Sequence, residues 1–574
     1  MERMRRIVMM TAIVLCLVAA PEKLLAQTQQ QPAIEIIGDR TLIHVERLGL
    51  KGDETLMDVL MMYPEMLVSG FESMLDNYQL RMENVQIACN LRQYLSTTLA
   101  KTVKRIQICE NPVVMKGTTG LGGVIDLNME RNEDGTKGFI GAELSTKLEK
   151  SALTAVNYGY VSPKQQTTDI YASANVDDKS RHGDTDFSHN VSFNLTHRFT
   201  PRNRMIVYLR QSYLHNKELP VAEEGKNYTA FMYYYHTLNK IGSELLGVAG
   251  YRYSDTSSDA KANALYNDQR QAAGTQVYMI ELDTPLPFLK GLHMLVGNEN
   301  DLTNLRNHVR QDMVVGPTPF DVNDRFTVNN FDVYAQFDYT VGPMTFSAGD
   351  RVSFYHYGMD AYNGTASRNP TRNMVMASVK AQLSTNHQLQ GGYYRRFINP
   401  SFIAALPTVY PETDGKTWTT VTTLQNERRA DVYRLAYVFS KPKVNANFGG
   451  RFVHMVDGGE NTLTLNASAT WIHSWLTLTG GANFCHTEDL GEKLNFGYVR
   501  LAPTFRLPWA LKASTQLVWC SKNAPERRLL DLPAVYALLK AEKNISSHVA
   551  ITAQWHDIFC SQRSAALVTA KYLF

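Results

Sequence analysis

The chain has 574 residues, of which 44% are hydrophobic, with a net charge of +3 and a mean hydropathy of −0.27. So small a positive charge argues against a protein that binds nucleic acid through bulk charge. Beyond the amino terminus the chain lacks the roughly 18 consecutive apolar residues that a membrane-spanning helix needs, which argues against helical membrane spans.

The first 26 residues have the three parts of a secretory signal. Three arginines within residues 3–6 form a basic start, residues 7–20 form an apolar core, and Leu24-Leu25-Ala26 is a cleavage site. We therefore expect residues 1–26 to be removed and the protein to be exported.

The cysteines and histidines form no metal-ligating or redox motif. Five cysteines follow the signal, without a CxxC motif or a Cys/His cluster: Cys89, Cys109, Cys485, Cys520 and Cys560. A bridge between Cys89 and Cys109 is open to an exported protein, but two unrelated buried thiols are favoured. The histidines are scattered, so we expect no metal site and no cofactor.

Residues 27–130 mix helical and strand periodicity, which predicts a small α+β domain. Apolar residues recur at helical spacing after Asp53 and stop at Pro64, and a second short helix is expected over Leu91 to Leu99. Residues 78–87 read as strand, turn, strand, and Val103 to Cys109 as another strand.

A cluster of glycines ends this domain. Gly117, Gly120, Gly122 and Gly123 lie between a proline turn and an apolar strand. One interpretation is a dinucleotide-binding loop, but the third glycine of that motif and a following helix are missing. The favoured interpretation is steric, because glycine allows tight turns and close backbone approach.

From about Thr136 the hydrophobic period changes to two and stays there. Leu463, Leu465, Ala467, Ala469 and Trp471 alternate with polar residues, and after a three-residue turn the alternation resumes. Each arm has about ten residues, the length of a tilted strand that crosses a bilayer. The pattern predicts a transmembrane β-hairpin; the alternative, a large soluble β-sandwich array, would alternate in the same way.

If a crossing and its share of connections take roughly 20 residues, residues 131–574 form a barrel of about 22 strands. A barrel of that width is usually plugged, and residues 41–130 would form the plug. The longer polar stretches are expected to be extracellular loops: Tyr253 to Lys261, Asp301 to Asn329 and Asn399 to Asn426.

Several of these segments resemble the TonB-dependent outer-membrane receptors of Gram-negative bacteria, as a member with a short plug. Residues 53–68 resemble the first plug helix, residues 80–87 its strand-turn-strand, and residues 103–129 its closing motif. Residues 391–400 and 423–437 resemble arginine-containing barrel segments, and residues 568–574 resemble the terminal strand of such barrels.

The resemblance implies site residues and partners. Within residues 27–40, Ala33, Ile34, Glu35, Ile36 and Ile37 would be the TonB box, which adds a strand to TonB and so needs extended backbone more than particular side chains. The alternative is that they are only the first strand of the plug. The four glycines would form a hinge between plug and barrel, and Tyr572 and Phe574 would be read by the barrel-assembly machinery.

The function expected from the resemblance is import of a scarce extracellular solute across the outer membrane, powered by TonB and its inner-membrane motor complex. Outer-membrane lipid is the surrounding partner, and nucleic acid is not a partner. The alternative is a plugged barrel that serves as a surface-binding or scaffold protein without energy-coupled transport. An enzyme is not expected, because hydrolase motifs such as Gly-x-Ser-x-Gly are missing from the sequence. Arg395, Arg396, Arg428 and Arg429 are expected to form wall salt bridges with plug carboxylates rather than to contact ligand.

Overall fold

The structure is a computed structural model, and it describes twenty-six segments of the chain. They are residues 34–37, 40–48, 56–60, 78–82, 85–87, 95, 100, 103–109, 123–129, 137–145, 152–161, 168–178, 185–218, 221–262, 265–313, 320–361, 364–398, 408–411, 418–421, 428–441, 443–456, 461–489, 492–524, 534–546, 549–556 and 565–573.

A six-stranded sheet and two short helical segments form the amino-terminal part. A 3-10 turn spans Val45–Arg47 and helix α1 spans Leu56–Leu60. The strands are β1 Ile34–Ile37, β2 Arg40–His44, β3 Tyr78–Met82, β4 Val85–Ile87, β5 Val103–Cys109 and β6 Gly123–Met129. Their order in the sheet is β1-β2-β5-β6-β3-β4, with β3 parallel to β6 and the other pairs antiparallel. Among the described residues no helix is long and apolar enough to cross a membrane.

The apolar positions that predicted these elements form the core of this domain. Leu56 and Leu60 of α1 and Ile106 of β5 are fully buried, as is Leu95, which is helical. The predicted helix after Asp53 and the three predicted strands are confirmed, whereas most of the helix expected over Leu91 to Leu99 lies outside the described residues.

The rest of the described chain forms a closed antiparallel barrel. Its strands are β7 Lys137–Ser145, β8 Ala152–Val161, β9 Thr168–Asp178, β10 Thr185–Thr200, β11 Asn203–Glu218, β12 Val221–Thr237, β13 Glu244–Ala262, β14 Leu265–Pro285, β15 Leu292–Met313, β16 Phe320–Val341, β17 Met344–Ala361, β18 Gly364–Arg368, β19 Thr371–Ser384, β20 His387–Ile398, β23 Arg428–Lys441, β24 Val444–Met455, β25 Asn461–Ile472, β26 Leu476–Asp489, β27 Glu492–Leu507, β28 Leu511–Cys520, β29 Val535–Asn544, β30 Val549–His556 and β31 Ala565–Leu573. A separate hairpin joins β21 Thr408–Pro411 to β22 Trp418–Val421.

Closure occurs where β31 pairs with β7. Both β18 and β19 pair with β17, so they are two pieces of one crossing. The twenty-three described barrel strands therefore make twenty-two crossings, the number predicted from length. The predicted fold class, a large plugged barrel with an α+β domain, is confirmed.

The two faces of the barrel wall differ in polarity. On β25, Leu465, Ala469 and Trp471 are exposed while Ser468 and Thr470 are buried. The predicted hairpin is confirmed, since β25 and β26 are joined by residues 473–475 and pair from Ile472 onward. Apolar side chains therefore face outward, toward lipid, and small polar ones face the lumen.

Two rows of outward aromatic rings bound the apolar band. One lies where tight turns join the strands and includes Trp475 and Phe505, whose rings are 6.2 Å apart. The other, toward the end with long connections, includes Tyr433 and Phe452, 6.4 Å apart. On β24, Val444 lies opposite Trp471 of the first row, and Phe452 lies in the second. Eight residues of tilted strand span about 20 Å in height, close to the ~25 Å band of outer-membrane barrels.

Four neighbouring strands extend far beyond the second aromatic row, and here two loop predictions are wrong. Residues 253–261 belong to β13, and residues 301–329 are mostly β15 and β16, each of 22 residues. About ten residues suffice to cross the bilayer, so the outer halves of β13, β14, β15 and β16 form a wall above the membrane. We call this part the extramembrane wall.

Candidate functional site

The amino-terminal sheet packs on the inner face of the barrel. One continuous cluster of buried residues joins its core to inward side chains of β11 to β14 and β23. The barrel contributes Ile206, Tyr208, Phe231, Tyr233, Tyr235, Leu246, Val248, Val277, Met279, Ala436 and Val438. This surface, the plug seat, holds the sheet in the lumen by hydrophobic contact.

Strand β1 is an edge strand of the plug sheet. It pairs antiparallel with β2, from Ile34 opposite Ile43 to Ile37 opposite Arg40. Its backbone also lies close to β19, β20 and β23 of the barrel wall. The candidate TonB box, apart from Ala33, is thus a strand of the plug sheet with its other edge toward the wall; Ala33 lies outside the described residues. Whether these residues contact TonB stays a prediction.

The inner face of β15 to β17 carries a buried ion network. The guanidinium of Arg351 is 3.0 Å from Glu299 and also contacts Asp332, with side chains 8%, 3% and 1% exposed. Glu299 and Asp332 lie directly opposite each other in the strand register. Because like charges so placed repel, the arginine between them stabilises the pairing of β15 with β16.

Two tyrosines continue the network along the wall. The Tyr334 hydroxyl donates to Glu281 Oε2 at 2.7 Å, and its ring lies 5.6 Å from the Arg351 guanidinium. Farther along, the buried Arg372 guanidinium lies 3.6 Å from the centre of the Tyr355 ring. The inner wall therefore has two parts: an apolar plug seat on β11 to β14 and β23, and a braced polar surface on β14 to β19.

The four predicted arginines do not form one site. Arg395 donates to Asp431 at 2.9 Å, and the Tyr393 hydroxyl donates to the same carboxylate at 3.1 Å. Arg395 alternates with inward residues, so this pair lies on the outer face, just above the second aromatic row. Its partner is a wall carboxylate and not the plug carboxylate we expected. Arg396 and Arg429 lie on β20 and β23, and the side chain of Arg428 is outside the described residues.

The remaining predicted site residues lie at strand ends or outside the described residues. Gly123 is the first residue of β6, while Gly117, Gly120 and Gly122 are outside the described residues. Tyr572 lies in β31, opposite Val549 of β30 on one side and Ile140 of β7 on the other. It is thus in the strand that closes the barrel. Phe574 is outside the described residues.

The ion network is not visible in the sequence pattern of any one strand. Arg351 and Glu299 are 52 residues apart, and only the register of three strands brings them together. The available signal was a charged residue at an inward position of a period-two pattern, which is costly unless it is paired.

Comparison with known proteins identifies the fold. No sequence model of a known family matches the chain, and no curated protein matches it in sequence. Solved structures do match. The copper transporter OprC superposes with a TM-score of 0.71 at 9% identity, over 96% of this chain and 100% of that one. The unliganded ferric citrate transporter FecA gives 0.70 at 11% identity, over 94% and 97%.

The alcaligin outer-membrane receptor FauA of Bordetella pertussis gives a TM-score of 0.66 at 11% identity, over 96% of this chain and 98% of that one. At such identities the likeness is one of fold, and it extends over almost the whole of both chains. The chain has the fold of the TonB-dependent outer-membrane receptors, a barrel with a plug sheet in its lumen.

Proposed function

We propose that the protein is an outer-membrane receptor that binds a small extracellular solute and imports it into the periplasm when TonB pulls on the plug. The observation that carries this proposal is the plug seat. A solute can cross only if the plug sheet changes its place or its shape. Separating even three of the seat's large apolar side chains from the plug would cost on the order of 5 kcal/mol. Opening therefore needs external work, which is what an energy-coupling partner supplies.

Strand β1 is suited to receive that work. It is short, rich in isoleucine and at the edge of its sheet. Its other edge faces the barrel wall, so β1 must move away from the wall before a partner can bind it through backbone hydrogen bonds, as in β-strand addition. Force applied to β1 would act on β2 and then on β5, the next strands of the plug sheet.

The test uses a proline in β1. We expect Ile36→Pro to abolish capture of the purified periplasmic domain of TonB by the mature protein in detergent, because proline removes a backbone donor. The matched control Ile36→Val keeps the backbone and the β-branched side chain and should bind as the wild type does. Equal capture by all three proteins would contradict coupling through β1. An assembled wild-type barrel that captures no TonB would favour the scaffold alternative.

The closing strand supports a second part of the proposal, recognition by the barrel-assembly machinery. Tyr572 lies beside the seam, in the strand whose pairing with β7 closes the barrel. We expect deletion of Phe574 to lower the amount of folded barrel in the outer membrane, measured as the heat-modifiable band on a gel. An unchanged amount would contradict this role.

A further inference from the structure

A pocket of about 370 Å³ opens on the outer face of the barrel, at the level of the second aromatic row. Strands β23 to β26 contribute the residues that line it, which include Tyr433, Phe452, His454, Leu463, His486 and Glu488. In the strand register Phe452 lies opposite Leu463, and Leu463 lies opposite His486. All of these positions point away from the lumen, so the pocket faces the surroundings of the barrel and not the plug.

Both histidines of the pocket have the same tautomer. His454 Nδ1 lies 2.7 Å from Oδ1 of Asn461, and His486 Nδ1 lies 2.7 Å from Oδ1 of Asn495. An amide oxygen only accepts hydrogen bonds, so Nδ1 of each neutral ring carries the proton. Nε2 of each ring therefore keeps its lone pair and is a hydrogen-bond acceptor.

Glu488 adds a carboxylate with spare acceptor capacity. Its ion pair with Lys493 is 3.8 Å long, whereas a direct hydrogen bond between an ammonium and a carboxylate is about 2.7–2.9 Å long. The neighbouring outward carboxylate of Asp431 differs, because it accepts bonds from Arg395 at 2.9 Å and from Tyr393 at 3.1 Å. Glu488 can therefore accept a further donor at the pocket.

The pocket combines these acceptors with aromatic rings. No lysine or arginine is among the described residues that line it. Tyr433 and Phe452 stand side by side at 28° to each other, and a cation within about 6 Å of such a ring is attracted to its face. Nor do the acceptors form a metal site, since the described part of the chain has no group of three such side chains that could hold an ion. A carboxylate, two imidazole lone pairs and two rings match a primary ammonium, which has three N–H donors.

We propose that this pocket binds the ammonium head group of a membrane lipid. The second aromatic row is at the height where head groups meet hydrocarbon, so lipid head groups are the first neighbours of the pocket. Farther down the same strands, Ala467 lies opposite Ala482 and Ala469 lies opposite Gly480. These small outward side chains leave a shallow depression in the apolar band, where an acyl chain of the bound lipid can lie.

The test measures lipid binding by the delipidated mature protein with native mass spectrometry. The probes are phosphatidylethanolamine, phosphatidylcholine and phosphatidylglycerol with identical acyl chains. We expect phosphatidylethanolamine to bind about tenfold more tightly than phosphatidylglycerol, and E488Q to remove this difference, because a hydrogen bond to a charged group is lost. The matched control E224Q removes the same charge from an outward glutamate that already pairs with Lys226 at 2.8 Å. It should change binding less than twofold.

Phosphatidylcholine separates hydrogen bonding from charge, because its nitrogen is cationic but has no N–H group. It should bind more weakly than phosphatidylethanolamine. Equal binding of these two lipids, equal binding of phosphatidylglycerol, or an equal loss in E488Q and E224Q would overturn the proposal. Soluble glycerophosphoethanolamine that binds as tightly as the lipid would overturn the assignment to a membrane lipid.

A second variant keeps the test decisive if E488Q does not fold, as judged by its heat-modifiable band. His486→Phe retains an aromatic ring and removes one acceptor, so it should weaken binding of phosphatidylethanolamine about fivefold. Unchanged binding by this variant would contradict the proposal. The measurement involves neither solute nor TonB, so its outcome is independent of the proposed transport.

Discussion

Replacing Arg351 with methionine should destabilise the barrel strongly. Methionine fills similar volume but leaves Glu299 and Asp332, both almost fully buried and opposite in register, without their shared counter-ion. Removing one partner of a buried ion pair typically costs about 3–5 kcal/mol, and two carboxylates are affected here. Asn330 still donates to Asp332 at 2.9 Å, which limits the loss. We therefore expect a loss of about 4 kcal/mol in the free energy of unfolding.

The assay is guanidinium unfolding in phospholipid vesicles, followed by fluorescence of the outward tryptophans. The triple variant R351M/E299Q/D332N is the matched comparison. It removes all three charges together, and because no uncompensated charge is left, it should recover most of the stability lost by the single variant. If R351M unfolds at the same denaturant concentration as the wild type, Arg351 does not hold these strands together. If the triple variant is no better than R351M, the cost comes from packing and not from charge.

Two further changes test the inner wall by the same unfolding assay. A methyl group on Gly250 would lie 2.2 Å from the Phe231 ring, which packs in the plug seat, so Gly250→Ala should lower the free energy of unfolding by about 1–3 kcal/mol. The control is Gly247→Ala on the same strand, where a methyl group would have nothing within 4 Å. Equal stability of the two variants would contradict close packing at Gly250. Tyr334→Phe should lower the free energy of unfolding by about 1–3 kcal/mol, because Glu281 loses the hydroxyl group that donates to it. An unchanged free energy of unfolding would mean that this hydrogen bond contributes nothing to stability.

The sequence predicted the architecture because lipid imposes a simple pattern on each strand. On β25 every second side chain faces hydrocarbon, so apolar residues such as Leu465 and Trp471 alternate with polar residues. The strand count followed from length, since every crossing of the bilayer needs a similar number of residues. Both inferences depend on local chemistry alone.

The extramembrane wall could not be predicted in the same way. Above the bilayer, water replaces lipid on the outer face, so the outward positions beyond Leu302 hold polar residues such as Asn304, Arg306 and His308. On the inner face of this part of β15, Leu305 and Val309 are buried and apolar, and they are four residues apart. Such a stretch has the composition of a loop, although backbone pairing continues through it.

The candidate site was predicted only in part. The edge strand β1 was found because β-branched residues in succession are a local signal. The ion network depends on the register between strands, which links residues such as Glu299 and Asp332 across a turn of the chain. Register follows from the whole set of strand pairs, and no single segment of sequence encodes it.

The orientation of the barrel wall in the membrane is the basis of the whole account, and spin labels placed on β25 test it most directly. Single cysteines at residues 465–470, in a background without the native cysteines, would be labelled and the protein reconstituted in lipid vesicles. The account predicts that labels at Leu465, Ala467 and Ala469 are relaxed by oxygen dissolved in the lipid, while labels at Asn466, Ser468 and Thr470 are not. Equal relaxation at all six positions would contradict a wall with lipid on one side and the lumen on the other.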